Sequence, residues 1–179
     1  MSEASLAIPD SVTFEQAIAL TKSLLSGIER GEWPESAVER AIAQLVSSQN
    51  GARGFFVAYL TDPGPLADNP SSVVLQALRS SPAVISPLLV KNLVMSAARG
   101  MEHRQKGDEE NAAGSERVRS RSARLIRFLQ LPEVEQEAEK LRECLITGRG
   151  DYQAFLERWG YTQEQREVMR QALNEIRQV

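Results

Sequence analysis

Helix start and stop signals recur along the whole 179-residue chain, and only one short run reads as a strand. That run is Gly54-Phe55-Phe56-Val57-Ala58-Tyr59-Leu60, aromatic and β-branched in character. A single strand would leave its ladder groups without partners, and no second strand-like run exists to pair with it. The segment is therefore expected to be a central helix, apolar all round because neighbours surround it. This one inference sets the fold class: an all-α, single-domain bundle of eight or nine helices over residues 11–179, preceded by a flexible lead over 1–10.

The individual helices follow from their caps. Thr13 with Gln16 has capping-box spacing and opens a helix from about Phe14 to Arg30, stopped by Gly31. A second helix opens at Pro34 and is expected to end at Asn50-Gly51. Asp62 to Asn69, with Pro63, Gly64 and Pro65, reads as a loop, after which Asp68 or Asn69 caps a helix opening at Pro70. Ser81-Pro82 and Ser86-Pro87 predict a short helical turn and then a longer helix from Pro87 to about Lys106, where Gly107 breaks the chain. Helices follow over Asp108–Gln130, Pro132–Thr147 with Gly148 as stop, Asp151–Trp159 with Asp151 as cap, and from Thr162, capped with Gln165, to the end.

Composition excludes several function classes. Twenty-one basic against twenty-four acidic residues leave a net charge of −3, so no global field favours nucleic acid or an acidic membrane. One cysteine, Cys144, and one histidine, His103, leave no internal disulfide, zinc cluster or helical metal pair; no metal or other cofactor is expected. Cys144 shares helical spacing with Leu141 and Leu145 and reads as a core thiol. The most apolar stretch, Pro82–Ala98, is interrupted by Pro87, Lys91 and Asn92, and suits a buried helix better than a membrane span. Met1–Asp10 lacks the charged and apolar regions of a signal peptide. A cytoplasmic setting follows as the expectation.

Four constellations carry possible chemistry. Asn92, Ser96, Arg99 and His103 fall at i, i+4, i+7 and i+11 of one helix and share a face. Such a stripe can line a pocket for a small polar ligand, with Arg99 holding a carboxylate or phosphate, or it can be a solvated face. Asp108, Glu109, Glu110 and Glu116 lack the helical recurrence that a shared magnesium site needs. Arg117, Arg119, Arg121, Arg124 and Arg127 make a basic run, with Arg117, Arg121 and Arg124 on one face. The next helix carries Glu133, Glu135, Glu137, Glu139 and Glu143, able to pair with those arginines across a hairpin, so nucleic acid is not the expected partner. Arg149-Gly150-Asp151 copies an adhesion tripeptide but is explained by capping, and Trp33, Trp159 and Tyr161 read as packing anchors.

The wording GFFVAYLTDPGPLADNP over Gly54–Pro70, and again the stretch Leu88–Arg104, resembles an uncharacterised family of soluble helical proteins of cyanobacteria and plastids. The resemblance implies a cytoplasmic or stromal setting and no activity. The leading functional expectation is a non-enzymatic binding or scaffold protein acting through a protein partner, with a homodimer as one form. The alternative is a small-ligand-binding protein or unusual enzyme using the Asn92–His103 stripe. No catalytic residue is assigned. The partner-binding candidates are Leu66, Asp68 and Asn69, in a loop that Pro63 and Pro65 hold in a defined shape.

Overall fold

The computed structural model describes residues 6–177. Among these residues the regular structure is entirely helical: α1 (Phe14–Glu29), α2 (Glu35–Val46), α3 (Gln49–Thr61), α4 (Ser72–Arg79), α5 (Pro82–Gln105), α6 (Glu109–Leu129), α7 (Pro132–Thr147), α8 (Gln153–Trp159) and α9 (Gln163–Glu175). The all-α class and the helix number agree with the sequence reading. Of the expected flexible lead, residues 1–5 lie outside the described residues. The chain divides into two compact units, Met1–Leu88 and Leu89–Val179.

The first unit is built around α3. Gly51, Ala52, Gly54, Phe55, Phe56, Ala58, Tyr59 and Leu60 are all buried, so the helix is apolar on nearly every side. Phe55 meets Phe56 edge-on at 5.4 Å and stacks on Tyr59 at 5.1 Å, and each ring buried this way contributes roughly 2 kcal/mol. The strand-like composition thus reports burial rather than extended backbone. α1 and α2 both pack on α3, and α4 packs on α2. Close approach of α1 is possible because Gly54 has no side chain: a Cβ there would fall 2.4 Å from Ala17 Cβ and 2.7 Å from the Phe14 carbonyl oxygen.

Several boundaries differ from the sequence reading, each for a local reason. α2 stops at Val46, and Asn50-Gly51 lies inside α3. Ser48 caps α3, its hydroxyl accepting from the Gly51 N–H at 3.1 Å, and a Cβ at Gly51 would collide with the Leu45 carbonyl. Pro34 stands at the cap of α2, one residue earlier than its expected first helical position. Ser71, rather than Asp68 or Asn69, caps α4 by accepting from Val74 N–H. α5 runs unbroken through Pro87, where two helices were expected. The proline forfeits one backbone hydrogen bond, but Ile85, Leu89 and Val90 are fully buried, and that burial outweighs the loss. Tyr152 takes the cap position of α8, while the Asp151 carboxylate lies 3.7 Å from Lys140 Nζ.

In the second unit α7 packs on α9, and charge is settled locally. Arg121, expected on the helix face opposite the buried one, is itself buried, while Arg119 bonds Glu116 on its own helix and Glu175 on α9. Cys144 is buried, and that burial pushes its thiol pKa up, as befits a core thiol. The Tyr152 hydroxyl donates to Glu137 at 2.6 Å. Burial first, and then this bond, push the Tyr152 hydroxyl far above its ordinary pKa, while burial raises Tyr161 to about 12. Hydrogen bonds from Arg119 and Arg142 lower Glu116 and Glu139; burial raises Glu137, but bonds from Tyr152 and Lys140 outweigh it.

These shifts fix a pH window. The depressed carboxylates stabilise the fold above about pH 4.5, and that stability is lost as pH falls through their folded values. The raised phenols contribute stability fully present below about pH 10 and lost as pH rises toward their folded values. Thermal melts are expected to be flat from about pH 5 to 9 and to fall on both sides. A Tm that keeps rising from pH 5 down to pH 3 contradicts this assignment.

Candidate binding cavity in the first unit

The side chains that enclose space in the first unit come from α1, α2, α3 and α4 and from the two connections α1–α2 and α3–α4. Leu25 of α1, Val38 and Ile42 of α2, Tyr59 of α3 and Val74 of α4 are buried and form the floor of a cavity of about 190 Å³. Half-buried Ile28, Trp33, Leu66 and Val73 form its walls. Exposed Glu35, Asn69 and Ser71 complete the lining at the rim. An apolar floor with a few polar groups at the edge is the ordinary chemistry of a recognition pocket.

Trp33 is set by two glycines. Gly31, at φ 69°, turns the chain after α1, a backbone conformation that disfavours other residues. Gly27 then leaves room for the indole to lie directly on α1: a Cβ there would fall 1.9 Å from Trp33 Nε1. That nitrogen is buried and has no hydrogen-bond partner among the described residues.

The opposite wall is the loop between α3 and α4. Tyr59 donates its hydroxyl to the Leu66 carbonyl at 3.3 Å, tying the loop to the central helix. Within the loop, Gly64 N–H donates to Asp62 Oδ2 at 2.9 Å and Asp68 N–H to the Pro65 carbonyl at 3.0 Å, while Ala67 is fully buried. Leu66 and Asn69, two of the three partner-binding candidates, therefore reach the cavity; Asp68 is half-buried beside them and does not line it. Tyr59→Phe is expected to cost about 1 kcal/mol, the usual net value of one such bond. Urea denaturation reads this directly, and an unchanged midpoint would show that the loop holds itself.

The Asn92–His103 stripe does not enclose a space. Ser96 is buried, and its hydroxyl donates back to the Asn92 carbonyl at 2.6 Å. Arg99 is exposed and lies over the Trp159 ring, 5.8 Å from its centroid. His103 Nδ1 stands 3.9 Å from Asp108 Oδ2. Of the four, only Arg99 borders the open groove of about 720 Å³ beside Trp159 and the start of α9, whose lining also includes Glu102 and Glu164. The shared helical face does not gather them into a pocket: Ser96 bonds back to its own helix, Arg99 lies over Trp159 and His103 stands near Asp108. Of the residues lining the cavity the sequence reading singled out only Leu66 and Asn69 for binding, and Trp33 and Tyr59 are among those it did not. The available signal was Gly27 and Gly31 ahead of Trp33, a pattern that seats a large ring against a helix.

Among the described residues no group of three or more His, Cys, Asp or Glu side chains is placed to hold a metal ion, and no single helix is long and apolar enough to cross a membrane. Neither a curated protein nor a solved structure matches the chain. A family model described as "Uncharacterised conserved protein UCP020893" matches residues 13–176, which takes in every helix from α1 to α9. The chain belongs to the UCP020893 family of conserved proteins.

Proposed function

We propose that this is a non-enzymatic binding protein whose first-unit cavity receives one apolar side chain of a protein partner. The observation that carries the reading is the meeting of Leu66 and Asn69, from the proline-stiffened loop, with Trp33 and Tyr59 around a single apolar space. An engineered apolar cavity of about 150 Å³ holds benzene, so 190 Å³ suits a phenylalanine, leucine or isoleucine side chain. A preformed pocket with a polar edge is the setting in which one anchor side chain dominates an interface. Prolines at 63 and 65 reduce the entropy that the loop loses on binding. The same reading carries the cytoplasmic or stromal setting of the cyanobacterial and plastid resemblance, with a second copy of this chain as one form of partner.

Filling the cavity tests the reading. Val73→Trp places a large ring in the space from a half-buried wall position, and Leu66→Ala with Asn69→Ala removes the loop's contribution. Both variants are expected to keep the far-ultraviolet dichroism and to stay within about 3 °C of the parent Tm, because neither touches the floor. Capture of a partner from native lysate, followed by mass spectrometry, is expected to fall at least tenfold for both. Undiminished capture by the filled variant would end the proposal.

A further inference from the structure

The only charged residue lining the cavity, among the described residues, is acidic. Residues 1–88 hold five Lys and Arg against nine Asp and Glu, a net charge of −4, whereas residues 89–179 hold sixteen against fifteen and carry +1. Five of those nine acids, Glu29, Glu32, Glu35, Asp62 and Asp68, lie in two of the segments that border the cavity, the stretches 28–35 and 62–71 that carry its rim residues Glu35, Asn69 and Ser71. The one base in these segments, Arg30, is bonded by Glu32, with Nη2 to Oε2 at 2.9 Å. Glu35 lines the cavity itself. Glu29 sits against the loop, its Oε1 only 2.3 Å from where a Cβ on Gly64 would be, beside the Asp62 carboxylate that accepts from Gly64 N–H. Neither Glu29 nor Glu35 forms an ion pair among the described residues.

We infer, resting on the cavity reading above, that the partner presents its apolar anchor within a cationic segment, a Phe, Leu or Ile flanked by Lys or Arg. An anchor carried on an acidic segment would bring carboxylates against Glu29 and Glu35 with no unbonded base in either bordering segment to meet them. A flanking cation instead finds Glu35 at the rim and the aromatic wall Trp33, whose ring face also favours positive charge. These carboxylates are solvent-screened, so their effect falls with ionic strength.

Three blocked pentapeptides test this on the full chain: acetyl-Lys-Ala-Phe-Ala-Lys-amide, its Glu-Ala-Phe-Ala-Glu counterpart, and Lys-Ala-Ala-Ala-Lys. The readout is the Trp33 indole N–H resonance, assigned with a Trp159→Phe variant. The Lys-flanked Phe peptide is expected to shift it saturably, at least tenfold tighter than the Glu-flanked one at 50 mM salt, with the gap closing at 500 mM. The all-Ala cationic peptide is expected to leave the resonance in place. Glu29→Gln with Glu35→Gln is expected to weaken the Lys-flanked peptide several-fold at unchanged Tm. Equal or tighter binding of the Glu-flanked peptide overturns the charge assignment and leaves the cavity reading standing. No saturable shift by either Phe peptide up to 5 mM overturns both.

Discussion

Gly54→Leu is expected to lower the Tm by roughly 10 °C, a loss of about 3 kcal/mol or more, because α1 and α3 touch through this position. The first atom of any side chain there would meet Ala17 Cβ at 2.4 Å and the Phe14 carbonyl at 2.7 Å, and backbone on both sides leaves nothing flexible to yield. Separating the two helices would also open the packing around Phe55 and Tyr59, both essentially fully buried. Gly54→Ala is expected to show the same effect at about 1–3 kcal/mol. Gly114, in the middle of α6, provides the contrast: a Cβ there meets nothing within 4 Å. Gly114→Ala is expected to raise stability by roughly 0.5–1 kcal/mol through helix propensity alone. Differential scanning calorimetry of the three variants orders them, and a Gly54→Leu protein melting with the parent would refute the close-contact account.

Arg142→Ala is expected to cost about 3 kcal/mol in the second unit. Arg142 is buried on α7, yet its guanidinium donates to the Leu173 carbonyl of α9 at 2.8 Å and to Glu139 at 2.6 Å, with Glu135 at 3.3 Å. Truncation leaves the Leu173 carbonyl buried without its partner and opens space between two packed helices. Both glutamates are about half exposed and return to water, which keeps the loss below that of a fully buried pair. Arg142→Lys is expected to recover little, since one ammonium cannot reproduce the planar fork. Guanidinium denaturation checks both variants; an Arg142→Ala midpoint equal to the parent's would mean that α9 is held by its apolar seam alone.

The sequence alone determined the helical class, because caps act over three or four residues. Thr13 with Gln16 and Thr162 with Gln165 form the capping boxes their spacing announces, and Gly148 ends α7. A lone strand would leave its backbone groups unpaired, so Phe55–Leu60 is a central helix. The loop Asp62–Asn69 was legible in the same local way, from its prolines. What only the tertiary structure decided depends on contacts between distant segments. Asn50-Gly51 reads as a stop signal, but Ser48 and the Leu45 carbonyl make it the first turn of α3. Pro87 reads as a helix start, but burial on either side carries α5 through it. Arg121 reads as a surface base and is buried. The cavity is the clearest case: Leu25, Trp33, Ile42, Tyr59 and Leu66 are scattered over some forty residues and have no shared period. Periodicity places residues on a face of one helix; only the packing of several helices decides which faces enclose a space.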